Sequence, residues 1–190
     1  MNLKWKVGDA TITKITEIVY PEFDLIPAAT PAVVKKVPWL FPYFVTPEGK
    51  LSVSIHSLVV DTPSAKLVVD TCIGNGRNRE PFTIMSNLST SYLEDMSAAG
   101  YPPESINYVL CTHLHLDHVG WNTRLVNGKW VPTFPKASYL MDKKDIALYG
   151  EPYTAEGMQT ALEAAFSQNG LQVADIRKIT KGKLTLVVSD

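Results

Sequence analysis

Three of the chain's four histidines fall within six residues, in the run Thr112-His113-Leu114-His115-Leu116-Asp117-His118. Imidazole and carboxylate at this density form a donor set for a divalent metal, with zinc fitting best and iron or manganese also accommodated. In an extended backbone residues i, i+2 and i+4 share a face. The spacing therefore predicts His113, His115 and Asp117 on one side of a strand end, with His118 joining where Gly120 lets the chain turn. The alternative is a solvated loop. Clustered histidines beside an apolar strand then cost solvation and charge repulsion with nothing to offset them.

The elements that must position this run are legible as hydrophobic periods. Leu3 to Val7 and Thr11 to Val19 alternate across Gly8-Asp9, which predicts a hairpin. Tyr20 to Pro47 is rich in proline and aromatics, with a short helix expected only over Ala32 to Val37. Leu51 to Val60 and Lys66 to Asp70 predict a second hairpin through Thr62-Pro63-Ser64-Ala65. The apolar run Leu67-Val68-Val69 predicts a strand covered on both faces. Ser91-Tyr92-Leu93-Glu94 has the capping-box form and opens a helix through Met96 and Ala99, closed by Gly100 and Pro102-Pro103. Ile106 to Cys111 reads as a buried strand delivering the histidine run. Asn127-Gly128 predicts a tight hairpin between Leu125-Val126 and Lys129-Val131. Ala137 to Met141 predicts a strand, with Asp142 capping a short helix to Gly150. A longer helix is expected from Thr154, with Met158, Ala161, Leu162, Ala165 and Phe166 on one face and Asn169-Gly170 ending it, and a strand over Lys183 to Val188.

The run His113-Leu114-His115-Leu116-Asp117-His118 resembles the HxHxDH signature of the metallo-β-lactamase superfamily. Leu67-Val68-Val69-Asp70-Thr71 looks like that superfamily's first motif, and His118-Val119-Gly120-Trp121-Asn122 is similar to its lactonase and organophosphate-hydrolase branch. The resemblance implies an α/β fold, an αββα sandwich of which this chain supplies the first half, with a mixed sheet and flanking helices. It also implies a single domain over 1–190 that is incomplete at its C-terminus. His113 and His115 would hold a first metal, and Asp117 and His118 a second. Asp117 is also the residue of this set that the resemblance places in the reaction. Asp70 would orient a ligand from behind, the alternative being an ordinary strand-end aspartate. The implied chemistry is hydrolysis of an ester, lactone or related small molecule by hydroxide held on two zinc ions. Histidine rather than glutamate at position 115 favours hydrolysis over di-iron redox chemistry.

The same resemblance leads one to expect a later histidine for each metal and an aspartate bridging both. No histidine follows His118, and Asp142, Asp145, Asp175 and Asp190 are the only later aspartates. Either the site is truncated, leaving an inactive or non-enzymatic metal-binding remnant, or a second chain completes it, as in a homodimer. His56, between Ser54 and Ser57, reads as a satisfied strand residue and not as a ligand or part of a triad. Gly74-Asn75-Gly76 reads as a turn in preference to a phosphate loop. Cys111 reads as a buried thiol, not a nucleophile. Trp39, Phe41, Tyr43 and Phe44 fit a substrate mouth, a dimer contact or core packing equally.

Composition narrows the classes further. With 190 residues, 45% apolar and 19% charged, the chain can build a core and is not disordered. Eighteen Lys plus Arg against nineteen Asp plus Glu leave a net charge of -1, which argues against a nucleic-acid partner. No apolar run reaches the ~18 residues of a membrane span, and no signal-peptide pattern opens the chain. Two cysteines, Cys72 and Cys111, make no disulfide framework and suit the cytoplasm.

Overall fold

A computed structural model describes residues 3–23, 26–142, 145 and 184–187 of the chain. Strands β1 (Lys4–Val7) and β2 (Ala10–Tyr20) pair antiparallel across Gly8-Asp9, where Gly8 adopts φ +57°. After β2 comes a short helix, α1 (Pro31–Val34), which Thr30 caps by accepting from Val33 N at 3.4 Å. Strand β3 (Val53–Asp61) lies antiparallel to β2, and β4 (Lys66–Val69) antiparallel to β3. Helix α2 (Tyr92–Ala98) then crosses the sheet and delivers β5 (Tyr108–Leu110), which pairs parallel to β4. Beyond β5 a short helix, α3 (Leu116–Val119), leads into the hairpin β6 (Thr123–Val126) and β7 (Lys129–Pro132). Asn127 and Gly128 at its tip both have positive φ, 51° and 74°, as a two-residue hairpin turn requires. Strands β8 (Ser138–Asp142) and β9 (Leu184–Val187) extend the main sheet in parallel.

The resulting mixed sheet has seven strands in the order β1-β2-β3-β4-β5-β8-β9. One face is dry. Alternation places Thr13, Ile15 and Glu17 of β2, Ser57 and Val59 of β3, Val68, Val109, Tyr139 and Met141 on it, all buried. Tyr92 and Met96 of α2 pack there without exposure, each contributing about 2 kcal/mol through apolar burial. On the opposite face Leu58, Val60, Leu67, Val69, Leu110 and Leu140 are only half-buried. The expectation that Leu67-Val68-Val69 is covered on both sides is thus met on one side only.

Local readings need three further corrections. Ser91 does not form a capping box: its Oγ donates to Asp95 Oδ2 at 2.6 Å and makes no bond to a helix N–H. The strand before the histidine run is shorter than Ile106 to Cys111, because a 3₁₀ turn over Pro103–Ser105 occupies the approach. Trp39, Tyr43 and Phe44 are not core residues, being 72%, 81% and 51% exposed. The helix expected after Asp142 falls outside the described residues except at Asp145, and the helix expected from Thr154 to Asn169-Gly170 lies wholly outside them. Among the described residues no helix is long and apolar enough to cross a membrane.

Candidate metal centre

Parallel pairing of β4, β5 and β8 brings the C-terminal ends of all three to one edge of the sheet. Asp70 follows β4, the histidine run follows β5, and Asp142 closes β8. The run is not an extended strand end. Beyond Leu110 the chain bends through Thr112 and His113, and Asp117 and His118 lie in the single turn of α3, which follows His115. The i, i+2, i+4 face predicted for His113, His115 and Asp117 is therefore replaced by a bend-plus-helix geometry. Leu114, fully buried, is the anchor that folds the bend inward.

This geometry gathers the side chains. The rings of His113 and His118 lie 4.0 Å apart between centroids, and those of His113 and His115 4.5 Å apart. His118 sits between two carboxylates, with Nδ1 2.9 Å from Asp70 Oδ2 and Nε2 3.3 Å from Asp117 Oδ2. Burial works against charge on His118, but Asp117 and Asp70 outweigh it and push its pKa up to about 9. Burial would raise both carboxyls as well, and His118 beside them holds each below its ordinary value. Burial and the neighbouring imidazoles, His118 before His115, pull His113 down.

Asp70 has φ +56°, a conformation that aspartate tolerates better than most residues. Its Oδ1 accepts from Thr112 N at 2.8 Å, and Thr112 Oγ1 lies 3.1 Å from His113 Nδ1. Asp70 thereby touches both ends of the run, through Thr112 to His113 and directly to His118. An orienting role for Asp70 would act through these contacts.

The donor types suit a divalent metal: three imidazoles and two carboxylates at one sheet edge, in contact as pairs. His118 Nδ1 is buried and faces Asp70 Oδ2 at 2.9 Å. Among the described residues no three such side chains converge at coordinating spacing; they are closed onto one another in pairs. A metal would take the place of the positive charge that His118 now supplies to Asp70 and Asp117.

Around this edge lies a buried polar layer that the motif alone did not reveal. Glu17 accepts from Ile73 N at 2.7 Å, Gly74 N at 3.0 Å and Trp121 Nε1 at 2.6 Å. Arg79 Nη2 donates to Ile73 O at 2.7 Å, and Arg77 Nη2 to Thr123 O at 2.6 Å. The Arg77 guanidinium also lies 3.9 Å over the Trp130 ring. Burial disfavours the charge on both arginines, and on Arg77 the neighbouring Arg79 adds to it. Glu17 had a sequence signal, an acidic residue at a core-facing register between Ile15 and the strand end. Arg77 and Arg79 had none.

The remaining candidates resolve as structural residues. His56 Nδ1 pairs with Ser54 O at 2.9 Å, and Ser57 Oγ donates to Asp70 O at 2.6 Å, so no triad exists among them. The Gly74 and Gly76 amides donate to Glu17 and to Leu88 O, which leaves them unavailable to a phosphate. Cys72 and Cys111 are buried and unpaired with each other. Burial pushes the Cys111 thiol up to about 12 and Cys72 well above its usual value. Alkylation by iodoacetamide at pH 7.5 should therefore run about a thousandfold slower in the folded protein than in denaturant, read as mass gain over time.

A mixed sheet whose parallel strand ends gather imidazoles and carboxylates is a frame suited to holding a metal. Residues 53–178 match the family model of the metallo-beta-lactamase superfamily, and the chain belongs to that superfamily. Ribonuclease Z of Mycobacterium sp. (strain KMS) is 31% identical over 111 residues, covering 54% of this chain and 36% of that protein. The chain thus spans about a third of the length of the curated relatives it matches. A probable metal-dependent hydrolase from Staphylococcus aureus superposes with a TM-score of 0.65 at 20% identity, covering 97% of this chain and 61% of that one. AidC, a dizinc quorum-quenching lactonase, gives 0.63 at 22% identity, covering 100% of this chain and 61% of that one. The hydrolase AbOPH also gives 0.63 at 22%, covering 98% and 60%. These structural likenesses establish the fold.

Proposed function

We propose that the chain carries the metal-binding half of a zinc-dependent hydrolase acting on an ester, lactone or related small molecule. The observation that carries this reading is the placing of His113, His115 and His118 with Asp117 and Asp70, in pairwise contact, at the parallel edge. His113 and His115 would hold one metal, Asp117 and His118 a second. When bound, zinc supplies a Lewis acid and a water acidified toward neutral pH. The chain's own contribution is orientation: Thr112 ties Asp70 to His113, and Asp70 fixes the ring of His118. The dizinc lactonase among the solved neighbours supports both the metal and the substrate class. Iron or manganese would use the same donors. The unpaired, buried cysteines support a reducing compartment such as the cytoplasm.

Two observations favour other readings. The pairwise closure of the candidate ligands among the described residues favours a metal-binding remnant without turnover. The ribonuclease Z relatives favour a phosphodiester substrate, although a net charge of -1 offers little to a phosphate backbone. The test is elemental analysis of the purified chain, followed by hydrolysis of aryl esters, lactones and bis(p-nitrophenyl) phosphate with and without chelator. About two metals per chain and chelator-sensitive ester or lactone turnover are expected. Well under one metal per chain, or metal without turnover, would overturn the hydrolase reading in favour of the remnant. Turnover of the phosphodiester alone would establish the nuclease class.

A further inference from the structure

We propose that Glu17, acting with Arg79, is a positioning residue that sets Asp70 against His118. Its function in metal binding rests on the reading above; its clamping role does not. The two segments of the centre are far apart in sequence and meet as a backbone seam. Thr71 N donates to His118 O at 2.7 Å, Gly120 N to Cys72 O at 2.7 Å and Trp121 N to Thr71 O at 2.8 Å. Asp70 opens one side of this seam and His118 the other.

At the far end of the seam the Ile73–Gly74 segment is gripped from both sides. The two Glu17 oxygens take the amides of Ile73 and Gly74, and Arg79 takes the carbonyl of Ile73. The same Glu17 Oε1 accepts from the indole of Trp121, so one carboxylate on β2 bonds to both sides at once. Glu17 is 9% exposed and Arg79 1%, so the pair works in a medium where each bond is strong. Burial pushes the Glu17 carboxyl up, while the Ile73 amide, the Trp121 indole, the Gly74 amide and Arg79 pull it back. A buried carboxylate bonded in this way has no task in β2 itself. All its partners lie on the two segments that carry Asp70 and His118.

Glu17→Gln keeps the shape but sets an amide N–H against one of three N–H donors. The matched control is Ile15→Val, a fully buried position on the same strand whose apolar side chain offers no hydrogen bond to either segment. In metal-free full-length protein, amide exchange at Thr71, Gly120 and Trp121 should accelerate on the order of tenfold or more in Glu17→Gln relative to Ile15→Val. Amides of β3 and β4 should not separate the two variants. In titrations with Co²⁺, Glu17→Gln should bind about tenfold to a hundredfold more weakly and with an altered ligand-field spectrum, while Ile15→Val keeps the wild-type spectrum.

Equal exchange at the seam in both variants overturns the clamp. Faster exchange with an unchanged Co²⁺ affinity and spectrum overturns its role in setting the metal centre. If Glu17→Gln does not fold, exchange in Trp121→Phe, which removes the indole donor and part of the ring stacked on Tyr92, decides in its place: acceleration at Thr71 and Gly120 with the amides of α2 unchanged supports the clamp, and none overturns it. Wild-type protein that binds no Co²⁺ removes the metal reading and leaves the exchange result to decide the clamp.

Discussion

Gly120→Ala is expected to destabilise the protein by about 4 kcal/mol or more, enough to leave little folded material at 37 °C. The reason is backbone contact, not backbone conformation. Gly120 has φ −59° and ψ −44°, angles any residue adopts. A Cβ placed there would lie 1.8 Å from Ile73 O, 1.9 Å from Ile73 C and 2.6 Å from Gly74 N. None of those atoms is the far end of a flexible side chain. The only relief is to part the seam that Thr71, Cys72, His118 and Trp121 close with hydrogen bonds, which also separates Asp70 from His118. Gly128→Ala provides the contrast: Gly128 has φ +74° but nothing within 4 Å of the place a methyl group would take, and the change should cost only about 1 kcal/mol. Urea unfolding of the two variants measures the difference, and similar losses would show that close approach at Gly120 is not what the fold depends on.

That residue also shows what the sequence could and could not disclose. From the sequence, Gly120 serves to let the chain turn so that His118 can join the other ligands. Its actual service is to let two backbones touch, a fact that depends on Ile73, nearly fifty residues away in the chain. The same division runs through the whole site. Candidate ligands could be named because imidazole and carboxylate chemistry is local, and strands β2 to β5 were readable because alternation in β2 and β3 and short apolar runs in β4 and β5 are local. The bend after Leu110 was not, because it is imposed by burial of Leu114 rather than by any turn residue. The buried layer of Glu17, Arg77 and Arg79 was legible only at Glu17, where a charge occupies an inward position of a strand. An arginine in a loop gives no such sign, since the aromatic ring over which Arg77 lies, Trp130, is chosen by the fold.

His115→Ala is expected to separate metal binding from stability more cleanly than any other change at the edge. His115 is exposed, it precedes the turn of α3, and it makes no side-chain capping bond there. Truncating it removes little apolar burial, so the change in unfolding free energy should stay within about 0.5 kcal/mol. His118 would behave differently. Wedged between Asp70 and Asp117, it neutralises two carboxylates, and its loss leaves them facing each other half-buried. In the proposed centre, in contrast, His115 is one of the two imidazoles assigned to the first metal, and its loss should not be made good by a neighbour. Elemental analysis of His115→Ala should therefore show metal reduced to background, with urea midpoints matching those of metal-free wild type. Metal content equal to wild type would remove His115 from the ligand set and, with it, the assignment of the motif as the centre's first metal site.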